Sequence, residues 1–134
     1  MNKTDKPNYL KIFNEHFIEF IDDIIRIFPN DVDLLSTKNV FVLMRQTNPK
    51  LIISVFNTYV VNDYKNEIQN GDIDYFLNKD YTEDLKITQH SSKILDKIDK
   101  LRTPIKSMDY DNKQKIIKYL QNLQKLSELY LSLQ

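Results

Sequence analysis

The 134-residue chain has no cysteine, no tryptophan, one glycine and four prolines. Without cysteine it forms no disulfide, no thiolate metal site and no cysteine nucleophile, which suits a reducing compartment. One glycine cannot build a phosphate-cradling loop, nor supply the positive-φ positions that a series of hairpins consumes. No serine stands in a GxSxG elbow. His16 and His90 have no partner at zinc spacing, so each reads as a packed or half-exposed side chain. Neither sign of charge dominates, since nineteen bases face nineteen acids, and no global field draws the molecule to nucleic acid or an anionic membrane. Long apolar runs are missing too. Residues 40–61 are broken by Arg45, Pro49 and Lys50, whereas a membrane span needs about 20 apolar residues. The start, MNKTDKPNYL, lacks the apolar stretch of a secretory signal. Together these absences predict a soluble, intracellular, non-enzymatic protein with no catalytic residues, no cofactor and no membrane partner.

What remains is material for one core. Hydrophobic residues make up 41% of the chain and include seven Phe and eight Tyr, enough for a single helical domain over residues 1–134 with residues 1–7 disordered. The most apolar stretch is NPKLIISVFNTYVV, residues 48–61, uncharged from Leu51 through Asn62 in a chain with 28% charged residues. Such a segment needs cover on most sides, so it is the expected centre of the fold. Asn48 followed by Pro49 reads as an N-cap and first helical residue. Ser54, Asn57 and Thr58 then share one polar stripe.

Around that centre the periodicities are helical. Leu10, Phe13, Phe17, Phe20, Ile24 and Ile27 alternate by three and four, predicting a helix over residues 8–28 that Pro29 ends. Asp31 caps a second helix with Val32, Leu35, Val42 and Leu43 on its apolar face. The third continues, or restarts at Asn62 or Asp63, until Gly71 supplies a left-handed C-cap. Asp72 caps a short turn. Asp80 with Glu83 forms a capping box for a helix that ends at Thr103 and Pro104, and Asp111 with Gln114 opens the last one. The expected fold is therefore all-α, a compact bundle of five or six helices around a central hydrophobic helix. The alternative is α+β, with a hairpin at residues 40–56.

Three features invite function. In the last helix Ile116, Tyr119, Leu123, Leu126, Tyr130 and Leu133 form a seam of a and d spacing. Its width, with Ile117, Leu120 and Leu129 alongside, favours packing within the bundle. The same seam is the candidate protein interface, through Tyr119, Leu123, Leu126, Tyr130 and Leu133, and could support a homo-oligomer. Asp72, Asp74 and Asp80 are candidate metal ligands, although helix capping accounts for Asp72 and Asp80 without an ion. Lys86, Lys93, Lys97 and Lys100, with His90, line one stripe of the fifth helix, a candidate phosphate surface whose plainer reading is a solvated face. Residues 62–84 hold seven acids against two lysines, and residues 85–125 ten bases against four acids. Pairing of these two regions within the fold is the simplest expectation.

The phrases NPKLIISVFNTYVV, NGDIDYFLNKDY, IDKLRTPIKSM and KYLQNLQKLSELY, taken in order, resemble a family of uncharacterised small proteins of nucleocytoplasmic large DNA (giant) viruses. The resemblance runs from Asn48 to Tyr130 and leaves the first helix out. It carries no catalytic signature. It implies a setting, the cytoplasm of an infected host cell or the virion. The expected function is a viral structural or interaction protein, a virion component or an adaptor for a viral or host protein. The alternative is a nucleic-acid-associated accessory factor using the lysine stripe.

Overall fold

Asp5 opens the first helix, one turn earlier than the periodicity suggests, in a computed structural model that describes residues 5–78 and 89–133. This helix, α1, spans Asp5–Ile27. Residues 5–7, expected to be disordered, are helical, because Pro7 sits in the first turn where its missing N–H costs nothing. Lys6 Nζ also lies 4.8 Å from the centre of the Tyr130 ring. The predicted face of α1 is the buried one: Phe13, Phe17, Phe20, Ile21 and Ile24 are all in the core.

Asp31 caps α2 (Val32–Thr47) as expected, its carboxylate accepting from Leu34 N at 3.2 Å. The next connection differs from expectation. Asn48 closes α2 by donating its backbone N–H to Met44 O, Leu51 N returns to Asn48 O, and α3 (Leu51–Val55) starts from Lys50 without a side-chain cap. Asn48 and Pro49 therefore form a turn. The cause lies on α1, where buried Asn14 donates Nδ2 to Pro49 O at 2.9 Å and holds the turn against the first helix.

After α3 the chain makes one π-helical turn, Phe56–Val61, before α4 (Asn62–Gln69). Ile52, Phe56 and Val60 recur at every fourth residue, and all three are buried. A period of four exceeds the 3.6 of an α-helix, so its apolar face would rotate away from the core; the wider i→i+5 turn keeps it inward. The central stretch thus lies at the core, as three short pieces in place of one helix. Its polar stripe faces out: Ser54 and Thr58 are exposed, and Ser54 Oγ donates to Lys50 O.

Gly71 sits after α4 at φ +74°. Its N–H donates to Ile68 O and that of Asp72 to Glu67 O, the paired bonds of a Schellman cap. A Cβ there would meet only Ile117, at 3.8 Å, so space is available and the backbone angle is the obstacle. Gly71→Ala is therefore expected to cost about 1 kcal/mol in urea unfolding, from left-handed strain alone.

Asp72 caps the short α5 (Ile73–Asn78), accepting from Tyr75 N at 3.2 Å. The expected capping box of Asp80 and Glu83 lies outside the described residues. The sixth helix, α6, spans Gln89–Lys106 and continues through Pro104 for two residues beyond the predicted stop. Asp109, two residues before the predicted Asp111, caps α7 (Tyr110–Ser132). The architecture is all-α, with seven helices and no strand among the described residues, so the hairpin alternative at residues 40–56 is replaced by α2, a turn and α3. The count exceeds five or six because the central stretch is divided and α5 forms a helix of its own. The long helices α1 and α7 make the broadest pairing, and α2, α3, the π turn and α6 close the core around the α1 phenylalanines.

Candidate functional site

The seam of α7 faces inward. Leu123 is fully buried and Tyr130 is 7% exposed, while Tyr119, Leu126 and Leu133 are half-buried. Four of these five, Tyr119, Leu123, Leu126 and Tyr130, are therefore occupied by the protein's own core packing, and α1 is the helix most broadly paired with α7. Ile117 and Leu120, both buried, widen the face as a bundle helix requires.

At the rim of this pairing Tyr119 donates its hydroxyl to Asp23, which also receives Arg26. The Tyr119 ring lies 4.9 Å from His16 and 5.6 Å from Phe20, centre to centre, and His16 Nδ1 is 3.5 Å from Glu19. Burial first, then the hydrogen bond and negative charge of Asp23 and the charge of Glu19, push the Tyr119 phenol up to about 12 from 10.0, against the opposing effect of Arg26. A phenol whose folded pKa is raised contributes stability that is complete below pH 10 and fades as pH rises from 10 towards 12. Tyr119→Phe should lower stability by about 1 kcal/mol at pH 7, less than a fully buried charge-assisted bond would give. It should also flatten the decline above pH 10, as read by urea unfolding across pH.

The other candidates are not brought together. Asp72 is used as a cap, Asp74 is exposed in the first turn of α5, and Asp80 lies outside the described residues. No three His, Asp or Glu side chains converge among the described residues. Of the lysine stripe, Lys97 is half-buried and Lys100 exposed on α6; Lys86 and the side chains of Lys93 and His90 lie outside the described residues. No helix among the described residues is long and apolar enough to cross a membrane.

The feature that sequence reasoning placed wrongly is on α2. Val32, Leu35, Val42 and Leu43 were the expected core face, yet Val32 is 75% exposed, Leu43 60% and Leu35 43%, with Val42 half-buried. The buried side is Leu34, Thr37 and Phe41, with Met44 packed against the core. Phe41 decides the orientation: its ring meets Phe17 edge-on at 4.9 Å, and an aromatic side chain brings more apolar area inward than valine. The spacing of Leu34, Thr37, Phe41 and Met44, three then four then three, was a readable signal masked by the threonine. At 100° per residue the exposed apolar residues lie opposite that face, forming a stripe with Asn39 and Gln46 along its middle. This stripe offers apolar area for contact and no nucleophile, acid–base pair or metal ligand. Comparison with protein-family models, with curated proteins and with solved structures found no match to this chain.

Proposed function

We propose that this chain is a non-enzymatic interaction protein, a virion component or adaptor in an infected cell, and that the outward face of α2 is where it meets a viral or host protein. The viral setting rests on the resemblance of residues 48–130. The contact surface rests on one observation: Val32, Leu35 and Leu43 stand in solvent on a helix whose opposite side is anchored in the core. Apolar residues grouped along one exposed helix face are typical of contact sites, whereas single exposed ones need no explanation. Val32 and Leu35 stand at i and i+3, a spacing at which partners read a helix face, and Leu43 extends the same face two turns further on.

Affinity purification from infected cells with mass spectrometry, using the native chain and a Leu35→Asp/Leu43→Asp variant, tests the proposal. The native chain should retain a protein that the variant loses. Since both positions are exposed, the variant should unfold within about 0.5 kcal/mol of the native chain. Identical sets of captured proteins from two equally stable chains would refute the α2 surface.

A further inference from the structure

The charges of this neutral chain are segregated in space. Ion pairs join Lys38 to Asp22, Arg26 to Asp23, Arg45 to Glu15, Lys65 to Glu128 and Arg102 to Asp99. No lysine of α7 has an ion-pair partner among the described residues. Among the described residues no lysine of α7 pairs with an acid of residues 62–84, and the Lys65–Glu128 bridge takes its lysine from the acidic stretch. Lys115, Lys118 and Lys125 are exposed, as are Gln114 and Asn122. At 100° per residue these five share one outward arc of α7, opposite the buried Ile116, Leu120 and Ser127. Exposed Asp111 opens this arc one turn before Lys115, and no further acid occurs on α7 before Glu128. By contrast, the polar side of α1 mixes Glu15, Glu19, Asp22 and Asp23 with Arg26.

At the Lys125 end of this row lies a groove of about 400 Å³ between α4 and α7, lined by Gln69, Gln121, Gln124, Lys125 and Glu128. Gln121 is held in place, donating Nε2 to Ile68 O at 3.1 Å. We propose that the outward face of α7 binds the sugar–phosphate backbone of a nucleic acid, with Lys115, Lys118 and Lys125 on phosphates and the groove receiving a sugar or base edge. The three lysines span ten residues, roughly 15 Å of helix, the length of a few nucleotides. The groove also holds the Glu128 carboxylate, which with the Gln121 amide oxygen can accept from sugar hydroxyls and base amino groups but repels the carboxylates of an acidic protein, while the lysines take phosphates. The surface is separate from the α2 face and independent of it.

Fluorescence anisotropy with a labelled single strand of about 20 nucleotides, and with a duplex of the same length, tests the inference at low salt, about 20 mM, where such contacts are strongest. Binding tighter than about 100 μM to either form is expected, with a log–log salt slope near −2 for the single strand if three phosphates are engaged. Lys115→Gln/Lys118→Gln/Lys125→Gln should weaken binding at least about tenfold and bring the slope towards zero. Lys11→Gln/Lys50→Gln, at exposed positions outside α7, should bind within about twofold of the native chain. Binding weaker than about 100 μM to both forms, or a triple variant that binds like the native chain, would overturn the proposal. Equal affinity for inorganic polyphosphate would overturn it too, since that would show a general polyanion surface with no use of the groove.

Discussion

Phe17→Ala is expected to lower the unfolding free energy by about 3–5 kcal/mol, the range for deleting a buried aromatic ring. Phe17 is 2% exposed and stands where three helices meet. Its ring stacks with Phe13 at 6.2 Å and meets Phe20 at 6.1 Å and Phe41 at 4.9 Å, both edge-on. Removing it deletes the ring contact that joins Phe41 of α2 to α1 and opens a cavity that the surrounding helices can fill only by shifting together. A domain of this size has about 5–15 kcal/mol in total, so the change consumes a large share of it. Urea unfolding followed by far-ultraviolet circular dichroism reads the loss as a lowered midpoint at unchanged slope.

Leu123→Asp is the second large effect. The native side chain is fully enclosed between α7 and the rest of the core, and a carboxylate there has no partner in the apolar surroundings. The loss of leucine packing alone is worth about 2–5 kcal/mol, and burying an unpaired polar or ionised group adds several more. The variant is expected to be largely unfolded at pH 7 and 25 °C. If the α7 seam were an exposed interface, the same substitution would leave circular dichroism and the urea midpoint unchanged and alter only the molecular mass in light scattering.

Much of the fold was legible because the long helices carry wide, regular apolar faces. The α1 phenylalanines announce their burial by spacing alone, and Asp31 and Gly71 end their elements by side-chain and backbone chemistry that local sequence determines. Less legible was whatever depended on competition between faces. In α2 two apolar sets share one helix, Leu34 with Phe41 and Met44 against Val32 with Leu35 and Leu43. Counting hydrophobic residues cannot decide between them, whereas the complementarity of Phe41 to Phe17 does. The turn at Asn48 and Pro49 depends on Asn14, 35 residues away, a contact invisible to local rules. The π turn was half legible: Ile52, Phe56 and Val60 showed a period of four, but a straight helix was the default.

The candidate site followed the same division. The α7 seam was recognised as a seam, and its own width argued for the internal packing that the structure shows. The α2 surface was missed because its residues were assigned to the core. The outward lysines of α7 were visible in sequence only as part of a basic region, since their lack of acid partners among the described residues is a property of the folded chain.

The chain's lack of cysteine makes the central claim, that α7 turns its apolar seam inward while α2 presents one outward, directly measurable. Single cysteines introduced as Leu43→Cys and Leu123→Cys, each in the full chain, can be titrated with a thiol reagent under native conditions. The thiol at position 43 should react at nearly the rate of a free thiol. That at position 123 should be protected by at least about 100-fold, since its reaction requires opening of the core against a stability of several kcal/mol. Comparable rates at the two positions, or a faster reaction at position 123, would contradict the account.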